Sequence, residues 1–192
     1  GTGVEPSRGM HKGLVVEIED MQKAIRASVS QAIGVLDKET PGACIGVTGS
    51  HIISVQTTGH INGLNGDANR VITRKEMDKV VKQSHPKVEA EQELLHVIPL
   101  SYSVDNMDGV RNPAGLKGHE MTVTAHTVIG EAASLDNVVR AVEGADLSVR
   151  SMVLEPLASA EAVLSAEEKE TGVVLVDIGG GTSDVAIFSG GV

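Results

Sequence analysis

The sequence predicts a mixed α/β protein, and three observations lead there. Segments with apolar residues at three- and four-residue spacing alternate with β-branched or alternating runs. They read helix, two strands, helix, two strands, helix, strand, helix, two strands. The last two strands enclose three consecutive glycines, Gly179, Gly180 and Gly181, flanked by Asp177 and Asp184. Tyr102 and Phe188 are the only aromatic residues, so Val, Ile, Leu, Ala and Met must form the core.

Residues 1–13 are turn-rich, with Gly1, Gly3, Pro6, Ser7, Gly9 and Gly13. From 17 to about 34, Ile18, Met21, Ile25, Val29 and Ile33 line one face of an amphipathic helix. Residues 43–47 and 51–57 read as two strands joined by a short turn at Thr48-Gly-Ser50. Residues 59–69 hold three Gly and three Asn and read as a polar loop. Thr73-Arg-Lys-Glu76 is a capping box opening a helix that buries Met77, Val80 and Val81 and ends before Pro86. A long strand over 93–104 leads to a turn at 105–109, and a second loop follows over 111–118 with Asn112-Pro113.

In 120–129, Met121, Val123 and Ala125 alternate with Thr122, Thr124 and His126, a strand with one apolar face. Ser134 reads as the cap of a short helix carrying Leu135, Val138, Val139 and Val142, stopped by Gly144. Residues 147–154 form a strand. Glu155-Pro156 then opens a helix with proline in its first turn, running to about Lys169. Residues 173–176 suit a buried strand, and 183–189, closed by Gly190-Gly191, pair with it. The strand–helix–strand–strand order between about 43 and 130 stands out as a unit.

Composition excludes several classes. At 192 residues the chain can bury a core as one domain or two small ones. A net charge of −10 without a Lys/Arg cluster, and without aromatic platforms for bases, argues against a nucleic-acid partner. Cys44 is the only cysteine, which excludes an internal disulfide and fits a reducing compartment. No apolar run is long enough to span a bilayer and no signal-peptide pattern opens the chain, so the expected location is cytoplasmic. The seven histidines are scattered, without the spacing of a zinc site, and are expected to be surface or packing residues. An opening Gly1-Thr2 without Met and a stop at Val192 directly after a strand read as an excised piece of a longer protein.

The glycine corner carries the chemistry. Three residues without Cβ let amide groups turn toward an anion and let the backbone approach it. The Thr182 hydroxyl beside them can donate to a phosphate oxygen. Asp177 and Asp184 repel phosphate, so they would face it only through a divalent cation or its water. The residues read as one lip of a nucleotide-phosphate site; a purely structural hairpin corner is the alternative. The chain has no Gly-x4-Gly-Lys-Ser/Thr loop, and a dinucleotide fingerprint would need Gly or Ala at Asp184 and a helix where 185–188 read as strand.

Taken together, the motifs resemble the FtsA family of actin-like bacterial cell-division proteins, within the actin/Hsp70 superfamily. The resemblance runs the whole length. It rests on Pro6-Ser-Arg-Gly-Met-His-Lys-Gly13, Thr48-Gly-Ser-His-Ile52 and His96-Val-Ile-Pro99 followed by Tyr102, Val104 and Asp105. Asn112-Pro-Ala-Gly-Leu116 with Gly118, Met121 and His126, and Asp177-Ile-Gly-Gly-Gly-Thr-Ser-Asp184, complete it. The last motif is shared by the superfamily, whereas the 96–126 constellation is the discriminating one. One departure is Glu17, where the family commonly has Asp or Asn.

The resemblance implies part of an actin-like ATPase-fold lobe. Residues 1–42 and 147–170 would belong to a first actin-like subdomain, 43–146 to an inserted SHS2-type subdomain, and 171–192 to the first hairpin of a second lobe. Gly179, Gly180, Gly181 and Thr182 match the second phosphate loop, with Asp184 closing it, and Asp177 matches the metal-water carboxylate. Glu155 sits where relatives carry a residue that positions water or metal; a carboxylate simply stabilised at a helix N-terminus is the alternative. The implied cofactors are ATP and Mg2+ in the longer protein, with none expected on 1–192 alone. The implied partners are the tubulin-like division protein, later division proteins and further copies in filaments. Membrane contact would come only through a tail outside this sequence, at the inner face of the cell membrane. A pilus-assembly relative, a stand-alone interaction module and a sugar-kinase-like enzyme are the other readings.

Overall fold

The computed structural model describes residues 1–34, 42–64 and 71–192. It is mixed α/β, and it divides into two compact units, residues 1–52 with 130–192, and residues 53–129. The first unit opens with a short hairpin, β1 (Met10–His11), inside the stretch expected to be turn-rich, and β2 (Leu14–Val15), just after it. Helix α1 (Ile18–Ile33) follows, as its apolar spacing requires. Strand β3 (Ala43–Val47) pairs in parallel with β8 (Val149–Leu154), with Val47 opposite Leu154. Helix α3 (Ala132–Glu143) packs on α1 and β8. Helices α4 (Glu155–Val163) and α5 (Ala166–Thr171) lead into the antiparallel pair β9 (Val173–Ile178) and β10 (Ser183–Phe188).

The second unit is a four-stranded sheet in the order β4-β7-β5-β6, formed by β4 (Ile52–Asn62), β5 (Gln92–Val104), β6 (Met107–Val110) and β7 (Glu120–Glu131). Helix α2 (Arg74–Gln83) covers its core of Ile61, Leu64, Ile72, Val80, Tyr102, Val104, Met121 and Val123. Thr73 donates its amide and hydroxyl to the Glu76 carboxylate at 2.7 and 2.9 Å, the expected capping box.

Several expectations need correction. Strands β3 and β4 are not a hairpin: β3 pairs with β8, while β4 lies in the four-stranded sheet. Residues 43–47 pair with β8, and 132–143 pack on α1 and β8. The turn after β5 is shorter than 105–109, because Met107 already pairs back with Val104. Ser134 does not cap α3. Glu131 precedes the helix, and the Ser134 hydroxyl donates to its carboxylate at 2.6 Å, the reverse of the assumed roles. The helix from Glu155 does not reach Lys169: Leu164 is extended, and Ser165 starts a new helix by accepting from the Glu168 amide at 3.2 Å.

Residues 59–62 are strand rather than loop, whereas 65–69 lie outside the described residues. The glycine there serves contact, not turning. A Cβ on Gly59 would stand 2.2 Å from the Val80 carbonyl oxygen and 2.6 Å from the Ser84 amide, so β4 can cross α2 only without a side chain. Gly59→Ala is expected to cost about 2 kcal/mol in urea unfolding, as an overpacked contact does. Gly180→Ala, where a Cβ would meet nothing within 4 Å, serves as the unaffected control. Equal stability of the two variants would contradict the close approach.

Candidate functional site

The register of the last hairpin pairs Ile178 with Ser183 and sets Asp177 opposite Asp184, leaving residues 179–182 as the corner. The Gly179 amide donates to the Thr182 carbonyl at 3.0 Å, so one of the three glycine amides closes the turn instead of facing outward. Among the described residues, the amides of Gly180, Gly181 and Thr182 donate to no backbone carbonyl. Open space adjoins Gly180, and Gly181 abuts the β1–β2 turn, where the Cα and N of Lys12 would stand 3.6 Å from its Cβ.

Asp177 and Asp184 are half-buried and share one face of the hairpin, the face covered by α4. Like charges directly opposite in a sheet repel each other. Each carboxylate has a hydroxyl to receive: Ser159 donates to Asp177 at 3.0 Å, and Thr48 donates to Asp184 at 2.5 Å. Glu155, the first residue of α4, lies over β3, where a Cβ on Gly46 would come within 2.9 Å of its Cγ. Burial pushes the Glu155 carboxyl up, and the charges of Asp184 and then Asp177 push it the same way.

Glu155, Asp177, Asp184 and the corner residues 179–182 are thus brought together. Among the described residues, no three His, Cys, Asp or Glu side chains stand close enough together to hold a metal ion directly. Two half-buried carboxylates are compatible with a hydrated cation held through its waters. Mg2+ keeps several waters and takes one or two carboxylates plus phosphate oxygens, so Asp177 and Asp184 fit it in that mode. Such an ion would supply positive charge between carboxylates and phosphate.

Sequence reasoning missed Thr48, Ser159, Gly46 and Lys12. Two signals were present: Ser159 stands one helical turn after Glu155, and Thr48 opens the Thr-Gly-Ser-His motif at the end of β3. His51 of that motif is a packing residue. Both ring nitrogens are buried without a partner among the described residues, and burial lowers its pKa against the opposing pull of Glu131.

Because the Glu155 pKa is raised on folding, its ionisation favours the unfolded chain. That penalty is absent below the ordinary carboxyl value of 4.5 and grows as pH rises through the raised value. Glu155→Gln is accordingly expected to raise the melting temperature at pH 7 and leave it unchanged at pH 4. An equal effect at both pH values would contradict the carboxylate crowding.

Residues 49–129 match the family model described as the SHS2 domain inserted in FtsA. The cell-division protein FtsA of Pseudomonas aeruginosa is 36% identical over 191 residues, covering 100% of this chain and 45% of the relative. FtsA of Escherichia coli K12 is 34% identical over 192 residues, and that of Bacillus subtilis 32%. The chain spans less than half the length of these relatives, 45% or 43%. A chain of the PilM–PilN type IV pilus biogenesis complex superposes with a TM-score of 0.62 over 95% of this chain and 48% of its own, at 16% identity. That likeness concerns fold alone. Across its whole length the chain is similar to the cell-division proteins FtsA, and its centre matches the SHS2 domain inserted in FtsA.

Proposed function

We propose that this chain is the part of an actin-like, ATP-binding cell-division protein that supplies one lip of the nucleotide site. The carrying observation is the convergence of Glu155, Asp177 and Asp184 behind a glycine corner with open space at Gly180. In this reading the amides of Gly180, Gly181 and Thr182 cradle phosphate oxygens, and the Thr182 hydroxyl donates to one of them. Asp177 would hold a water of a Mg2+ ion, and Asp184, steadied by Thr48, would share that task. Glu155, with its raised pKa, orients water near the terminal phosphate or acts only through its charge.

The first compact unit then corresponds to actin-like subdomain elements and the start of a second lobe, and residues 53–129 to the inserted subdomain. We assign to the longer protein the roles of its family: filament formation at the inner face of the cell membrane, binding of the tubulin-like division protein, and recruitment of septal proteins to the divisome. Among the described residues no helix is long and apolar enough to cross a membrane. The free edge of β4, with Ile53 and Val55 exposed, supports an interaction role for the insert.

Half a site holds only one end of the ligand and loses the advantage of gripping both. Calorimetry is expected to show no micromolar ATP affinity for residues 1–192, and clear Mg-ATP binding for a chain extended to the length of its relatives. In the extended chain, Gly180→Asp is expected to abolish binding without unfolding the protein, since the position adjoins open space. Micromolar ATP affinity of 1–192, or intact binding by the Gly180→Asp variant, would contradict the reading.

A further inference from the structure

We propose that Lys12 is the cation that receives the terminal phosphate of a nucleoside triphosphate at the glycine corner. The inference rests on the nucleotide reading above and adds a residue on the opposite side of the site.

The charge balance calls for such a group. Glu155, Asp177 and Asp184 crowd the corner, and among the described residues none of them has an ion-pair partner. Among the described residues, two of them accept side-chain hydrogen bonds from neutral hydroxyls, Ser159 and Thr48. A phosphate arriving at the amides of Gly180 and Gly181 therefore meets three negative side chains. A single hydrated cation on the carboxylate side leaves the outer phosphate oxygens without a positive charge of their own.

Lys12 is the residue whose backbone touches the corner. Its Cα and N both lie 3.6 Å from the position of a Cβ on Gly181. Its ammonium lies within one side-chain length of a Cα that abuts Gly181, so rotamers turned toward the corner bring it to the glycine amides. The side chain is exposed, and among the described residues it has no hydrogen bond or ion pair.

The placement is held from three sides. Lys12 and Gly13 form the two-residue turn between His11 and Leu14, with φ of 50° and 80°. A Cβ on Gly13 would stand 2.6 Å from the Thr48 carbonyl oxygen, and one on Gly49 would stand 3.4 Å from the Lys12 carbonyl oxygen. The turn tip is thus wedged between the loop after β3 and Gly181. Turn chemistry alone would favour Asn, Asp or Gly where φ is positive, so lysine is not there for the turn's sake. A long, flexible ammonium acts well as a point charge for phosphate.

The competing role for Lys12 is to neutralise the carboxylates without touching ligand. The two are separated in a chain extended to the length of its relatives, with Mg-ATP and Mg-ADP titrated by calorimetry. Lys12→Met is expected to weaken ATP about tenfold or more, the size of one charge-assisted hydrogen bond, while ADP changes little. Lys12→Arg is expected to restore most of the ATP affinity. Equal losses for ATP and ADP, or no loss with only an upward shift of the Glu155 titration, would overturn the assignment. Failure of the unsubstituted chain to bind either nucleotide would overturn the nucleotide reading itself, and Lys12 with it.

Discussion

Two carboxylates set opposite each other across an antiparallel pair are the constraint around which the first unit is built. Asp177 and Asp184 cannot separate, because the register that forms the glycine corner fixes them as partners. Sheet pairing alone would not tolerate this arrangement. The neighbouring elements answer it: α4 brings the Ser159 hydroxyl, and the end of β3 brings that of Thr48. Glu155 adds a third carboxylate, and the lack of a side chain at Gly46 gives it room. A fold that only needed a hairpin would have no reason to gather three acids behind it. Such a gathering of like charges is more often found at functional sites, which supports the proposed nucleotide lip.

The second unit is organised differently. Its most diagnostic residues serve packing and turns rather than chemistry. Tyr102, Val104 and Met121 are buried in the core under α2. Asp105, with φ of 50°, accepts the amides of His119 and Glu120 at 2.8 and 3.0 Å, and these bonds hold its carboxyl below the usual range. Asn112 accepts the Ala114 amide at 3.1 Å, closing the turn around Pro113. The family model matches residues 49–129, whereas the proposed site chemistry lies at the corner outside that match.

Elements with strong periodicity were legible in advance: α1, α2, β5 and β7 fall within a residue or two of their expected spans. What stayed hidden has identifiable causes. The partner of β3 is β8, far along the chain, and local pattern cannot reveal a pairing across an insert. Gly59 looks like turn chemistry but marks the crossing of a strand and a helix. The break at Leu164 is followed by a capping box, Ser165 with Glu168, that an apolar pattern running through it concealed. At the site, the glycines and acids announced themselves by residue type. Thr48, Ser159 and Lys12 are ordinary residues whose importance comes only from what they touch.

The central claim is that the corner's outward amides clasp an oxyanion. The most direct measurement is amide NMR of Gly180, Gly181 and Thr182 in the extended chain during Mg-ATP titration. Saturable shifts at those three amides are expected, larger than at Gly179, whose amide is committed to the Thr182 carbonyl. Nucleotide binding that leaves all three unmoved would contradict the account.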